Sequence, residues 1–240
     1  MASLLVLSPH PDDETLYFGG LIRRAIKSNF KVHVAYITSG HNGRTLGLVS
    51  QKDLWKTRED EAAAAAKTLG VTDTFFMHYR DYDPSTGAKP LWRGASKQLT
   101  SWAKSRITDK TLVVSLPPNG MNGHPDHVKS SSIANKLASD LGLDIACVTS
   151  RKLVDYPEKT AFLTICNRQK THILPTHAVS LLPDETAVKL NALACYETQA
   201  LSVLGHLRRN GGRIDEETYS VRPSGNVFAE IFSPVSLEKN

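Results

Sequence analysis

The sequence predicts an α/β fold in which helices flank a mostly parallel, doubly wound sheet. Three observations support this prediction. Apolar runs of strand length alternate with segments of helical periodicity through residues 1–150, the pattern of βαβ units with right-handed crossovers. The chain of 240 residues is long enough to bury one large core. Its composition, 40% hydrophobic and 22% charged, is that of a globular protein.

The strands are predicted from short apolar or β-branched runs. The first is Leu4-Leu5-Val6-Leu7, and β-branched residues favour the next, over 31–38. In chain order, the predicted strands cover residues 4–8, 31–38, 74–78, 111–116, 145–149, 160–166, 172–182 and 226–232.

The helices are predicted from their periodicity and from the residues at their ends. The alanine run over 62–66 favours a helix that ends at Gly70, and Asp184 suits the N-cap of a later helix. In chain order, the predicted helices cover residues 15–28, 51–69, 96–105, 126–141, 184–199 and 200–209. Three polar or Gly- and Pro-containing segments, over 39–50, 79–93 and 117–123, are predicted loops.

The regular alternation ends near residue 150. We therefore expect one domain over 1–240, in which residues 1–150 form the core and residues 151–240 form a small C-terminal cap that completes a pocket.

Composition and charge exclude several classes of protein. No stretch has the roughly 18 consecutive apolar residues of a membrane helix, and the first strand leaves no room for a signal peptide ahead of it. The sequence therefore predicts a soluble, cytoplasmic protein and leaves a homo-oligomer open. The net charge of +5 permits an anionic ligand, but the basic residues are scattered, which favours a solvated surface over nucleic-acid binding. The densest group comprises Arg208, Arg209 and Arg213.

The cysteines are predicted to be structural. Cys147, Cys166 and Cys195 lie far apart among apolar neighbours and form no CxxC pair. This pattern favours small buried side chains over a disulfide framework or a cysteine-based zinc site.

Two similar clusters carry the functional prediction. The sequence His-Pro-Asp-Asp-Glu spans residues 10–14 and His-Pro-Asp-His spans 124–127. Each follows an apolar run and precedes a segment with helical periodicity, so each is expected at the carboxyl edge of the sheet, where open α/β sheets bind ligands. One such corner is usually structural, but two of them favour a shared metal site.

The residue types in the clusters match those that bind zinc. A catalytic zinc takes nitrogen and carboxylate ligands, three of them from the protein. His10, Asp13 and His127 are the best candidate set, and successive residues such as Asp12 and Asp13 are expected to point in different directions. The same ligands also suit ferrous iron or another divalent ion.

Such a site suits amide hydrolysis. The metal would lower the pKa of water from about 15.7 to about 7 and polarise the scissile carbonyl. A neighbouring carboxylate would act as general base. His124 is the best candidate to stabilise the oxyanion or to protonate the leaving amine, and Asp126 would orient His124.

These motifs resemble those of the PIG-L/LmbE-like zinc-dependent N-acetylglucosaminyl de-N-acetylase family, and the resemblance covers nearly the whole chain. The matching segments are 9–14, 123–127, 58–63 with 69–71, 80–81, and 189–193 with Tyr196 and Gln199. The resemblance implies a Rossmann-like three-layer fold and removal of an acetyl group from an N-acetylglucosamine-type sugar or small glycoconjugate.

The resemblance also implies roles for individual residues. It makes His10, Asp13 and His127 the zinc ligands and makes Asp12 the general base. It assigns His124 to the oxyanion or to proton donation, and it places Arg58 and Asp81 at the sugar conjugate.

Two positions depart from the family pattern. Asn122 stands where some members have a Tyr near the oxyanion, so either its amide donates instead, another loop residue does, or that assistance is absent. His41 replaces a carboxylate in the loop over 39–43, which leaves its sugar contact open. Trp92, in the loop over 79–93, either stacks on a sugar or packs the loop down.

Three functions remain open at this point. The first is a zinc-dependent deacetylase of an N-acetylated amino sugar or glycoconjugate, which the complete His/Asp set favours. The second is an amidase that cleaves a larger amide conjugate at the same metal site. The third is a non-catalytic protein that binds a sugar or a nucleotide.

Overall fold

The computed structural model describes residues 1–87, 89–108, 110–149, 173–209, 213–222 and 228–235. The described part contains eight strands in one sheet. They are β1 (Ser3–Ser8), β2 (Lys31–Thr38), β3 (Asp73–Tyr79), β4 (Thr111–Ser115), β5 (Asp144–Thr149), β6 (His177–Ser180), β7 (Glu216–Arg222) and β8 (Ser233–Pro234).

The strand order is β3-β2-β1-β4-β5-β7-β6-β8. The first five strands in this order are parallel, and the last three join them in antiparallel fashion. The order reverses between β1 and β4, which pair from Ser3↔Thr111 to Val6↔Val114. This is the topological switch point at which α/β sheets open a crevice for ligands.

Helices cover both faces of the sheet. They are α1 (Asp13–Lys27), α2 (Leu54–Leu69), α3 (Ala95–Ala103), the single turn α4 (Gly120–Gly123), α5 (Pro125–Leu141), α6 (Pro183–Ala194) and α7 (Ala200–Arg209), with a 3-10 turn at Glu197–Gln199. None of the helices in the described ranges is both long and apolar enough to cross a bilayer.

Successive side chains along a strand point to opposite faces of the sheet, so the core has two layers. On β1, Leu4 and Val6 pack with α1, α2 and α6 on one face, whereas Leu5 and Leu7 pack with α3 and α5 on the other. A strand covered on both faces is apolar throughout, which explains why β1 and β4 are continuous apolar runs. The predicted three-layer α/β fold is confirmed.

Several predicted elements need correction in the C-terminal part. The strand β7 was not predicted, and residues 228–232, which lie within the predicted strand 226–232, form turns. The predicted strand over 172–182 shortens to β6. The predicted helix over 184–199 ends at Ala194, where a 3-10 turn follows, and Leu182 takes the N-cap position that was assigned to Asp184. The predicted strand 160–166 lies outside the described residues.

The prediction of buried cysteines holds for one of the two that the structure describes as free thiols. Cys147 is buried, whereas Cys195 is only half-buried at the end of α6. Cys166 lies outside the described residues.

Candidate metal centre

The two predicted clusters meet at the switch point. The segment 9–12 connects β1 to α1, and the segment 116–124 connects β4 to α5. Because β1 and β4 are adjacent parallel strands, both connections lie at the same edge of the sheet.

The three predicted metal ligands contact one another through their side chains. Asp13 Oδ2 lies 3.0 Å from His10 Nδ1 and 3.3 Å from His127 Nε2. Asp13 and His127 are 4% and 5% exposed. His127 Nδ1 lies 3.1 Å from the carbonyl oxygen of Gly120. If that nitrogen carries the proton, the lone pair of Nε2 faces Asp13, which is how metal-ligating histidines are oriented.

Asp126 lies at His10 rather than at His124. Its Oδ2 is 2.9 Å from His10 Nε2 and accepts the backbone N–H of Tyr82 at 2.8 Å. The same oxygen is 3.9 Å from His124 Nδ1, which is too far for a hydrogen bond. When a carboxylate binds one nitrogen of an imidazole, the other nitrogen is oriented for a metal ion. Asp126 binds Nε2 of His10 and is therefore placed to orient Nδ1 toward the metal site.

His124 belongs to the same cluster of donors. One ring nitrogen each from His10, His124 and His127 can be chosen so that all three lie within 4.8 Å of one another. His124 caps α5: its Nδ1 accepts the backbone N–H of Asp126 at 3.2 Å. A neutral imidazole that accepts at Nδ1 carries its proton on Nε2, so His124 Nε2 is a hydrogen-bond donor. The imidazoles of His10 and His127 and the carboxylate of Asp13 form a donor set that fits zinc or a similar divalent cation, with His124 beside it.

The electrostatics of the cluster follow from burial and mutual contact. Burial opposes charge on His10, but hydrogen bonds to Asp126 and Asp13 outweigh it and raise the pKa of His10 to about 10. Burial opposes the Asp13 carboxylate, but His127 and His10 outweigh this and hold the pKa of Asp13 well below its usual range. Burial, with His10 and His127, lowers the pKa of His124 to about 3. A cation at His10 would therefore displace a proton, whereas His124 is neutral.

Asp12 and Asp13 contact different partners, although they are successive residues of the turn. Asp12 Oδ2 lies 3.3 Å from Arg58 NH2. Asp12 occupies the N-cap position of α1, yet its side chain makes no capping hydrogen bond. Burial raises the pKa of Asp12 to about 8, although Arg58 favours the carboxylate. Asp12 is thus a carboxyl group whose pKa lies in the range that suits a general base at neutral pH.

Arg58 is buried against the 9–12 turn and the loop after β2. It is 4% exposed, and its guanidinium donates to the carbonyl oxygens of Pro11 and Gly40 besides contacting Asp12. The family resemblance placed this side chain on the sugar conjugate. In the structure its guanidinium contacts Asp12 and the 9–12 turn, and the sugar contact stays a prediction.

The loop after β2 must have a glycine at position 40 to admit Arg58. Gly40 has φ +67°, and a Cβ there would lie 1.9 Å from Arg58 NH1. We expect Gly40→Ala to displace the guanidinium and to lower the free energy of unfolding by roughly 1–3 kcal/mol more than the matched control Gly47→Ala. Gly47 has a similar φ of +77° but nothing within 4 Å. Urea denaturation of both variants checks this, and equal losses would show that only backbone strain matters.

The remaining predicted substrate contacts lie in the loops around the centre. Asp81 accepts the backbone N–H of Asn42 at 2.9 Å and lies 3.8 Å from His41, which stacks against Trp55 at 6.1 Å. Asn122 accepts the backbone N–H of His124 at 3.0 Å.

Trp92 packs its loop down instead of presenting a face to a ligand. It is 6% exposed, and its indole N–H donates to the carbonyl oxygen of Arg80 at 2.8 Å. Because the ring is part of the core against α3 and α5, the predicted stacking on a sugar is not what this geometry favours.

Two residues beside the centre were quoted in the sequence motifs without a role. Glu14 is fully buried, and its carboxylate accepts hydrogen bonds from the hydroxyls of Thr15 and Tyr196. The motifs contain both residues: Glu14 ends the His-Pro-Asp-Asp-Glu segment, and Tyr196 follows the Lys-Leu-Asn-Ala-Leu segment. Their hydrogen bond could not be predicted, because sequence spacing alone does not pair residues so far apart.

Comparisons with known proteins agree with this geometry. The chain is 25% identical over 214 residues to the probable N-acetyl-alpha-D-glucosaminyl L-malate deacetylase 2 of Bacillus anthracis, covering 86% of this chain and 85% of that protein. It is 31% identical over 151 residues to the 1D-myo-inositol 2-acetamido-2-deoxy-alpha-D-glucopyranoside deacetylase of Mycolicibacterium smegmatis, covering 55% of this chain. The latter match spans only 52% of the mycobacterial protein.

A solved structure shows the same fold. The N,N'-diacetylchitobiose deacetylase from Pyrococcus horikoshii superposes with a TM-score of 0.67 at 21% identity, covering 92% of this chain and 84% of that one. Residues 5–138 match the family described as PIG-L, GlcNAc-PI de-N-acetylase. Since this match spans more than half of the chain and contains both His-Pro-Asp clusters, the protein belongs to the PIG-L family of deacetylases.

Proposed function

We propose that the protein hydrolyses the acetamide of an N-acetylglucosamine-type sugar conjugate, with one divalent cation as cofactor. The observation that carries this proposal is the convergence of Asp13, His10, His124 and His127 at the switch point, beside a second carboxylate, Asp12, which contacts Arg58 instead. A group of ligands beside a separate acid–base residue is what metal-assisted amide hydrolysis needs.

In this proposal His10, Asp13 and His127 hold the cation, and zinc fits their nitrogen and oxygen donors. When bound, zinc would polarise the amide carbonyl and make water a stronger acid. Asp126 keeps His10 in place through its contact with Nε2. Loss of such an outer contact typically costs roughly 10–100-fold in metal affinity.

Asp12 acts as the general base. It takes a proton from the water whose oxygen attacks the acetyl carbon, and Arg58 keeps its carboxyl group in place. When the carbon–nitrogen bond breaks, Asp12 returns this proton to the nitrogen. The products are acetate and the free amine of the sugar.

His124 stabilises the negative charge on the acetyl oxygen. Its Nε2 is the protonated nitrogen of a neutral ring, because Nδ1 accepts the N–H of Asp126. A neutral imidazole with a strongly lowered pKa is a hydrogen-bond donor rather than a source of protons. We therefore assign His124 to the oxyanion and assign the proton transfer to the amine to Asp12.

Asp81, His41 and Asn122 lie in loops at the carboxyl edge of the sheet and would contact the sugar or its substituent. The described residues within 173–235 would complete the pocket. One relative is named as a probable deacetylase of N-acetyl-alpha-D-glucosaminyl L-malate and the other as a deacetylase of an inositol glycoside, which supports a glycoside of this kind over a free sugar.

Acetate release tests the proposal. Zinc-loaded protein is incubated with N-acetylglucosamine, with its malate and inositol glycosides and with larger acyl conjugates, each with and without a chelator. We expect chelator-sensitive release of acetate from at least one glycoside. Release of a larger acid instead would establish the amidase alternative, and ligand binding without turnover would establish the binding-protein alternative.

A further inference from the structure

The backbone of Asp12 is held in a strained conformation. Its φ is 108° and its ψ is −35°, outside the regions that residues with a Cβ ordinarily adopt. Such a conformation persists only where the surroundings hold it in place, and it commonly occurs at functional sites. The contacts that hold Asp12 therefore determine where its carboxyl group lies.

The carboxylate of Glu14 holds the backbone N–H of Asp12, whose carbonyl oxygen accepts the backbone N–H groups of Thr15 and Leu16 in the first turn of α1. Glu14 is fully buried, and its Oε2 accepts the backbone N–H of Asp12 at 3.1 Å. Its Oε1 accepts the hydroxyl of Tyr196, which is 1% exposed. Glu14 thus links the strained turn to the C-terminal half of the chain.

A residue of α2 holds the segment that contains Tyr196. Thr198, two residues further along, donates through its backbone N–H and its hydroxyl to the two carboxylate oxygens of Glu61, both at 2.7 Å. Glu61 lies one turn beyond Arg58, which contacts the Asp12 side chain. The helix α2 therefore constrains Asp12 twice: directly at its side chain, and through Tyr196 and Glu14 at its backbone.

We propose that Glu14 and Tyr196 are positioning residues that fix the Asp12 carboxyl group for proton transfer without touching the substrate. The expected effect on kcat rests on the proposed function. The expected hold of Glu14 and Tyr196 on the 9–12 turn does not depend on the reaction. Misplacement of a catalytic group by about 1 Å can cost roughly 100-fold in rate.

Tyr196→Phe tests the inference, and Tyr219→Phe is its matched control. Tyr219 is also fully buried and also donates to a buried carboxylate, Glu217, at 2.7 Å. Both variants should lose thermal stability, since each removes one buried hydroxyl donor. Only Tyr196→Phe should lower kcat, by roughly 10–100-fold, with KM within about twofold of the wild type and zinc content unchanged.

Hydrogen–deuterium exchange supplies a readout that needs no substrate. Tyr196→Phe should accelerate exchange in the segment 9–14, and Tyr219→Phe should leave this segment as in the wild type. Unchanged exchange in Tyr196→Phe, equal kcat in the two variants, or loss of zinc from Tyr196→Phe would each overturn the inference. A wild-type protein that releases no acetate would contradict the proposed function alone, and the exchange data would still decide whether Tyr196 holds the turn.

Discussion

Replacing Asp12 by asparagine is expected to lower kcat by roughly 10²–10⁴-fold while the protein keeps its zinc. Asparagine has nearly the same shape and its amide oxygen can still accept from Arg58, but it cannot take a proton from water. Steady-state kinetics of acetate release, with metal analysis of the same preparation, measures both effects.

A second aspartate provides the control for this substitution. Asp73 also pairs with an arginine, Arg106, at 2.6 Å, but it opens β3 and so lies at the opposite edge of the sheet. Asp73→Asn should leave kcat unchanged. If Asp12→Asn retained wild-type kcat, the assignment of the base would be wrong.

Replacing His10 by alanine is expected to abolish stoichiometric zinc binding. His10 contacts Asp13 through one nitrogen and Asp126 through the other, so its removal deletes one ligand and leaves two buried carboxylates without this partner. The loss of affinity should exceed the roughly 10–100-fold that removal of an outer contact costs. Competition with a chromogenic zinc chelator measures the affinity.

His33→Ala is the matched control for this loss of metal. His33 is 6% exposed and also contacts a carboxylate, that of Asp73, but it lies far from the centre on β2. This variant should bind one zinc per chain with unchanged affinity. Full zinc occupancy in His10→Ala would show that the ligand set is misassigned.

The strands that position the centre were predictable because a strand that is buried on both faces is a continuous apolar run in the sequence. β1 and β4 are apolar between the Ser or Thr residues at their ends, and the two His-Pro-Asp segments follow them. The rules for parallel α/β sheets predicted that both segments lie at the carboxyl edge, and the structure adds that β1 and β4 are neighbours in the sheet.

The strand β7 was missed because its pattern is polar. Its sequence Glu-Glu-Thr-Tyr-Ser-Val-Arg includes Glu217, which is buried because it accepts from Lys189 and from two backbone N–H groups of α1. In sequence, a charged residue whose partners are distant in the chain cannot be told from an exposed charged residue. The contacts in the folded structure show that Glu217 is buried.

Within the centre, residue types were predictable but contacts were not. Sequence placed Asp126 with its near neighbour His124, whereas the fold brings it to His10 across the switch point. The contacts of Arg58 with Asp12 and with the carbonyl oxygen of Gly40 were likewise not visible in the sequence. Both outcomes depend on side-chain directions that neighbouring elements impose.

The most direct test of the central claim is anomalous scattering at the zinc edge from crystals of the zinc-loaded protein. We predict one peak per chain, at roughly 2.0–2.2 Å from His10 Nδ1, an oxygen of Asp13 and His127 Nε2. Asp12 and the Nε2 of His124 should face the remaining coordination position. A peak bonded to His124 in place of Asp13, or no peak at the switch point in fully loaded crystals, would contradict this account of the centre.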